Sequence, residues 1–126
     1  MPVNKYRENL ERVLKRIPAE LLDPRRLAFK HVFGAIGAYV DGQLFLSCGQ
    51  FGIALKLPQE TLAGLFLEVG VKKLRYFPNG HVKKDYAVLP DRIIDDPDRF
   101  QGLVLKSIQL ASQLAVPRDP PPWGRR

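Results

Sequence analysis

The sequence predicts a single α+β domain: a five-stranded antiparallel sheet with helices on one face, in the order α-β-β-β-α-β-β-α. Three observations predict this class. Apolar residues recur at helical spacing near the start, in the middle and towards the end of the chain. Aromatic and β-branched residues with glycines fill residues 27–57. Turn signals at Asp41-Gly42 and at Pro78-Asn79-Gly80 indicate tight hairpins, which join antiparallel neighbours.

The first element is an amphipathic helix. Asn4 is a favourable N-cap, since its side chain can accept a hydrogen bond from a free N–H of the first turn. The apolar stripe that follows consists of Tyr6, Leu10, Val13, Leu14 and Ile17. Pro18 ends the helix, and Leu21 and Leu22 are expected to fold back onto the core.

Three strands follow from Leu27. The first is predicted to be long and to run to Val40, with Gly34 and Gly37 inside it, at a bulge or a close packing contact. Asp41-Gly42 then predicts a type I′ turn, because both central residues of that turn need positive φ. A second turn at residues 49–52 leads into the third strand.

The second half contains a helix, a hairpin and a closing helix. Pro58 suits the first turn of a helix that ends by Gly70. The strands of the hairpin flank residues 78–80. Asp95, Asp96 and Pro97 favour a helix start, and the stripe of the last helix is Phe100, Leu103, Val104, Ile108, Ala111 and Leu114. Phe33 and Phe100 are predicted core residues.

Residues 1–116 are predicted to form the domain, and residues 117–126 a flexible tail, because four of those ten residues are proline. The 126 residues suffice for one hydrophobic core. No apolar run predicts a secretory signal or a membrane span. The single cysteine excludes an intramolecular disulfide. We therefore expect a cytoplasmic protein without membrane contact.

The stretch KHVFGAIGAYVDGQLFLSCG resembles the signature of the TfoX (Sxy) N-terminal domain family. The matching residues are Phe33, Gly34, Gly37, Tyr39, Asp41, Gly42, Leu44 and Phe45. A second segment, residues 81–117, resembles the later part of that family at Lys83, Lys84, Tyr86, Pro90, Asp95 and Asp96. The resemblance covers roughly residues 5–117 and implies a stand-alone bacterial domain with a secretion-chaperone-like fold, no catalytic residues and no cofactor.

The residues themselves offer no catalytic or metal site. His31 and His81 lack a further ligand at zinc spacing. Cys48 has no neighbouring base in the sequence and is expected to pack as a small hydrophobic residue. The acidic group at Asp91, Asp95, Asp96 and Asp98 is explained by helix capping and the helix dipole. We expect a protein that is not an enzyme.

The charge points to a partner. The chain carries 20 Lys and Arg against 13 Asp and Glu, a net charge of +7, which favours anionic partners. Two basic groups are candidate anion or partner sites. One lies on the 72–84 hairpin and comprises Lys72, Lys73, Arg75, Lys83 and Lys84; the other flanks the first strand and comprises Arg25, Arg26 and Lys30. Strand alternation sends Lys72 and Lys73 to opposite faces, so a solvated hairpin that resists edge aggregation is an equal alternative.

Two functions follow as predictions. The first is a non-enzymatic binding or regulatory domain that resembles the TfoX N-terminal domain, works through contacts with a protein partner and can form a homodimer. The alternative is direct binding of nucleic acid through the 72–84 hairpin, where lysines would contact phosphates and exposed aromatic rings would stack on bases.

Overall fold

The structure is a computed structural model that describes residues 2–77 and 80–115. Its four helices are α1 (Pro2–Leu14), α2 (Gln59–Leu65), α3 (Asp91–Ile94) and α4 (Pro97–Ala115), and a short 3-10 turn spans Pro24–Arg26. Its six strands are β1 (Leu27–Val32), β2 (Ala35–Val40), β3 (Gln43–Gly49), β4 (Gly52–Lys56), β5 (Lys72–Leu74) and β6 (Lys83–Leu89). Among the described helices, none is long and apolar enough to cross a membrane.

All six strands form one antiparallel sheet in the order β1-β2-β3-β4-β6-β5. The α+β class with an antiparallel sheet is therefore confirmed. The first four strands are a meander, in which each strand pairs with the next along the chain. The later hairpin then joins the sheet through β6, which pairs with β4 from Ile53↔Leu89 to Lys56↔Tyr86.

The prediction of five strands was wrong, because the long first strand is two strands. Phe33 and Gly34 both have positive φ, 47° and 80°, so the chain reverses there and β1 pairs back onto β2. Gly37 does lie inside β2, as expected. A Cβ at Gly37 would stand 2.5 Å from Leu44 Cδ1 and 2.9 Å from Val32 Cγ2, so close packing against neighbouring strands requires glycine there.

The helices largely follow the predicted segments. α1 begins at Pro2 rather than at Asn4. α2 begins after Pro58 but ends at Leu65, well before Gly70, so the predicted helical stripe was too long. α4 begins at Pro97, and its first turn is capped where Asp96 Oδ1 accepts a hydrogen bond from the Arg99 N–H at 3.2 Å. The short helix α3, directly before α4, was not predicted.

The main core lies between the helices and one face of the sheet. It joins buried residues of all four helices, such as Leu10, Leu62, Ile93 and Phe100, with strand residues such as Leu46. Leu22 belongs to this core, whereas Leu21 is 40% exposed. The Ser107 hydroxyl of α4 donates a hydrogen bond of 2.9 Å to the Phe45 carbonyl. That bond fixes α4 to β3 next to the bulge in the β2–β3 pairing.

The opposite face of the sheet carries no helix among the described residues. Its own small apolar cluster contains Ala54, Leu74, Tyr86 and Val88, with Phe51 and Tyr76 packed against it. We call this side the helix-free face. Two predicted features lie outside the described residues: the tail at 117–126, and the Pro78-Asn79 part of the hairpin turn.

Candidate binding surface

Four aromatic rings meet on the helix-free face. The ring centroid of Phe33 lies 5.3 Å from that of Tyr76 and 5.9 Å from that of Phe77. The Tyr76 ring also packs edgewise against Phe51, with the centroids 5.6 Å apart. Phe33 and Phe77 remain 60% and 55% exposed. We call Phe33, Phe51, Tyr76 and Phe77 the aromatic cluster. The prediction that Phe33 belongs to the core was therefore wrong.

Turns and one loop bring these rings together. Phe33 stands in the β1–β2 turn and Phe51 in the β3–β4 turn. The segment after β5 crosses the sheet, because the Tyr76 hydroxyl lies 2.7 Å from the buried Ser47 hydroxyl on β3. Arg75 Nη1 donates a hydrogen bond of 3.0 Å to the Gly80 carbonyl, which holds the two sides of the loop together. The cluster is thus positioned by hydrogen bonds as well as by packing.

Lysines stand over two aromatic rings of this face. Lys83 Nζ lies 5.9 Å from the centroid of the Phe33 ring, and Lys30 Nζ lies 5.0 Å from that of Tyr39. Such cation–π contacts contribute about 0.5–1 kcal/mol at exposed sites. One lysine of each predicted basic group therefore lies over an aromatic ring of this face.

The helix-free face carries no carboxylate from the strands. Asp85 is the only acidic residue in the six strands. Its Oδ1 accepts a hydrogen bond of 2.9 Å from Gln59 Nε2 of α2, which lies on the other side of the sheet. The positive charge of this face is therefore not neutralised within the sheet.

A small hollow opens beside the aromatic cluster. Its volume is about 190 Å³, and its walls are Phe33, Tyr76, Phe77, Gly80, His81 and Lys83. The walls are largely aromatic and include one lysine. A ring-sized apolar group with a neighbouring negative charge fits this chemistry.

The hairpin lysines are divided between two surfaces, as strand alternation predicts. Lys72 pairs in register with Val88 of the helix-free face, whereas Lys73 pairs with Ala87 of the main core side. A groove of about 340 Å³ beside α2 is lined by Gln59, Phe66, Lys73, Val82, Lys83 and Lys84. We call this the α2 groove. No ion pair involves these lysines within residues 2–77 and 80–115.

Two of the three residues of the second predicted basic group form ion pairs within the protein. Arg25 pairs with Asp23, with Nη2 and Oδ2 2.9 Å apart. Arg26 Nε donates to Asp41 Oδ1 at 3.0 Å, and Arg26 Nη2 donates to the Ser112 hydroxyl of α4 at 3.0 Å. Of Arg25, Arg26 and Lys30, only Lys30 joins the helix-free face. The structure therefore does not bring this group together as one anion site.

The ion pair of Arg26 and Asp41 makes stability depend on pH. The hydrogen bonds from Arg26 hold the pKa of Asp41 below its ordinary value of 3.8. Since the folded pKa is lowered, the stabilisation is present above the unfolded pKa and is lost as the pH falls through the folded pKa. We expect Asp41→Asn to destabilise the fold near neutral pH, and this difference to shrink at an acidic pH below 3.8, the ordinary pKa of the carboxyl. Urea unfolding at both pH values measures it.

Glu20→Gln is the control for that prediction, because Glu20 is exposed and pairs with no cation among the described residues. Asparagine at position 41 keeps the short polar side chain that tolerates the positive φ of the turn. A destabilisation of equal size at both pH values would contradict an electrostatic role for the pair.

Cys48 lies under α1 and is only 1% exposed. Asn9 Nδ2 donates to its Sγ at 3.5 Å, and burial raises the pKa of the thiol above its ordinary value. A nucleophilic cysteine needs the opposite shift. We expect a thiol reagent to modify Cys48 much more slowly in the folded protein than in guanidinium. The absorbance of the released reagent measures both rates. Equal rates in the folded and the unfolded protein would show that Cys48 is not protected by burial.

The remaining chemical candidates are the two histidines and the acidic residues. Within residues 2–77 and 80–115, no group of three or more His, Cys, Asp or Glu side chains is arranged to hold a metal ion. His31 lies on the edge strand β1, and His81 lines the hollow of the aromatic cluster. Asp96 acts as a cap of α4, in agreement with its predicted role.

The fold and the surface together define the class of protein. It is an α+β domain whose antiparallel sheet is covered by helices on one face and carries lysines and aromatic rings on the other. No protein-family model matches the chain, and a search of curated proteins finds no match. The resemblance to the TfoX N-terminal domain therefore remains a prediction from the sequence.

Proposed function

We propose that this chain is a non-enzymatic binding domain that acts through contacts with a protein partner. One observation carries the proposal: Leu67 and Val69, directly after α2, are 88% and 85% exposed. They follow Phe66, which lines the α2 groove. Burying an exposed aliphatic side chain of this size contributes about 1.5–3 kcal/mol. A partner that covers this region gains apolar contacts next to the α2 groove, whose lysines carry no ion pair within the described residues.

Affinity capture from the native cell, with and without nuclease, tests this function. The bait is the full chain, compared with the double variant Leu67→Ala and Val69→Ala. We expect a nuclease-resistant protein partner that the double variant loses. The matched control is the double variant Phe33→Ala and Phe77→Ala, which removes two exposed rings elsewhere and leaves capture of the nuclease-resistant partner unchanged. Loss of the protein partner after nuclease treatment argues against the proposal, as does a turnover abolished by one polar substitution.

A second candidate function is direct binding of nucleic acid through the 72–84 hairpin. Its specific support is that Lys72, Lys73, Lys83 and Lys84 are exposed and carry no ion pair within the part of the chain that the structure describes. A lysine that already forms an ion pair with a carboxylate of the protein attracts phosphate less strongly. Exposed lysines without such a pair are therefore the better phosphate ligands.

A salt titration tests the second candidate. Affinity for nucleic acid is expected to fall steeply with salt, and the double variant Lys83→Ala and Lys84→Ala is expected to flatten the slope by about one unit for each lost phosphate contact. Lys15→Ala with Lys106→Ala is the matched control, since both lysines are exposed and lie on or directly after helices. Equal slopes for the two double variants, measured by fluorescence anisotropy, would exclude the hairpin as the binding site.

A further inference from the structure

The helix-free face combines exposed rings with free positive charge. Phe33 and Phe77 are the most exposed aromatic residues that the structure describes, and they are neighbours. Lys83 stands over Phe33, and Lys30 stands over Tyr39 on the β1–β2 hairpin, whose turn contains Phe33. Aromatic rings beside a basic track are what unpaired bases and their phosphates require.

Charge on this face favours a phosphate-bearing occupant over an apolar one. A hydrophobic protein surface that covered Phe33 and Phe77 would remove the ammonium groups of Lys30 and Lys83 from water without giving them partners, which is costly. The six strands offer no carboxylate on this side to compensate, because Asp85 is bound to Gln59 on the other side. Phosphate groups supply the missing negative charge and leave the rings free for stacking.

The size and place of the hollow favour a single strand over a duplex. The hollow of about 190 Å³ has room for one ring-sized group, and aromatic residues line most of it. In a duplex the base faces are already stacked on each other, so they cannot reach protein rings. Unpaired bases present both faces, and each base–aromatic stack contributes about 1–3 kcal/mol.

From these observations we infer that the helix-free face binds single-stranded nucleic acid, with bases stacked on Phe33 and Phe77 and phosphates beside Lys30 and Lys83. This inference rests on the second candidate function and specifies it. The hairpin lysines alone would bind any polyanion, whereas the aromatic cluster selects strands with unpaired bases. The phosphate-binding lysine of the hairpin that touches this cluster is Lys83.

The experiment measures fluorescence anisotropy of a labelled oligothymidine of about 15 nucleotides, a length that spans one such binding site, and of a duplex of equal length. The variants are Phe33→Ala and Phe77→Ala. Leu67→Ala and Val69→Ala are the controls, because they remove apolar side chains that are even more exposed than the two phenylalanines and lie outside the helix-free face. We expect each phenylalanine variant to bind oligothymidine about tenfold more weakly, the controls to bind normally, and the duplex to bind more weakly than the single strand.

The possible outcomes separate this inference from the function on which it rests. If single strand and duplex bind equally, and Lys83→Ala with Lys84→Ala weakens both while Phe33→Ala weakens neither, the second candidate function stands and this inference fails. If neither nucleic acid binds at low salt, both fail. If polyglutamate displaces oligothymidine as well as unlabelled oligothymidine does, the face accepts any acidic chain and the inference is wrong. Circular dichroism of each variant confirms that it is folded.

Discussion

Replacing Phe100 by alanine is expected to lower the free energy of unfolding by about 3–5 kcal/mol. Phe100 lies in the first turns of α4, is 1% exposed and belongs to the main core with Leu10, Leu62 and Ile93. Alanine removes the ring and leaves a cavity that helices on several sides cannot fill without moving. Urea unfolding, followed by circular dichroism, measures the change.

Phe33→Ala is the control for Phe100→Ala. Both substitutions remove the same ring, but Phe33 is 60% exposed and touches other rings only on the helix-free face. We expect it to cost about 0.5–1.5 kcal/mol, the usual contribution of an aromatic pair. Equal losses for the two variants would show that Phe33 is buried, and they would remove it from the proposed binding surface.

Gly49→Ala is expected to cost about 1–3 kcal/mol, the typical penalty for overpacking. Gly49 ends β3, and a Cβ there would stand 2.8 Å from the Ala35 Cβ and 2.8 Å from Phe51 Cε2. The Ala35 Cβ is attached directly to the backbone of β2, so it cannot rotate away. The added methyl group must therefore displace a strand or move the Phe51 ring. Thermal unfolding of the variant measures the loss.

Gly102→Ala is the matched control, because it adds the same methyl group where no atom lies within 4 Å. Gly102 is exposed in the interior of α4, where alanine is favoured over glycine by about 0.5–1 kcal/mol. This variant is expected to stabilise the fold. If both glycine substitutions destabilised it, the loss at Gly49 could not be assigned to the contact with Ala35.

Turns with a distinctive residue pair were predictable, and turns without one were not. Asp41 and Gly42 have φ values of 51° and 83°, as the predicted type I′ turn requires. Phe33 and Gly34 have nearly the same φ values, yet phenylalanine gives no turn signal because it lacks a short side chain that bonds to its own backbone. The run of aromatic and β-branched residues therefore predicted one strand where two exist.

The candidate surface was predictable in its lysines but not in its rings. Lys83 and Lys84 follow a turn signal in the sequence, so their place on a hairpin could be expected. The aromatic cluster draws on two turns and a loop, and no local pattern shows that Tyr76 reaches Ser47 on β3. Likewise, Arg26 counted as a free cation from the sequence, whereas its partner Asp41 lies across the β1–β2 hairpin.

The pairing of β4 with β6 has a consequence for how the sheet assembles. Each hairpin of the β1–β4 meander closes over a turn of two residues, so its ends meet at little cost in chain entropy. β6, by contrast, pairs with β4 across the intervening residues 57–82, and the Leu57 N–H donates a hydrogen bond to the Asp85 carbonyl at 2.9 Å. Most of the entropy cost of loop closure in the sheet therefore belongs to the pairing of β4 with β6. The contacts between α2 and β6 form within this closed loop. They therefore have to offset the entropy cost of closing it.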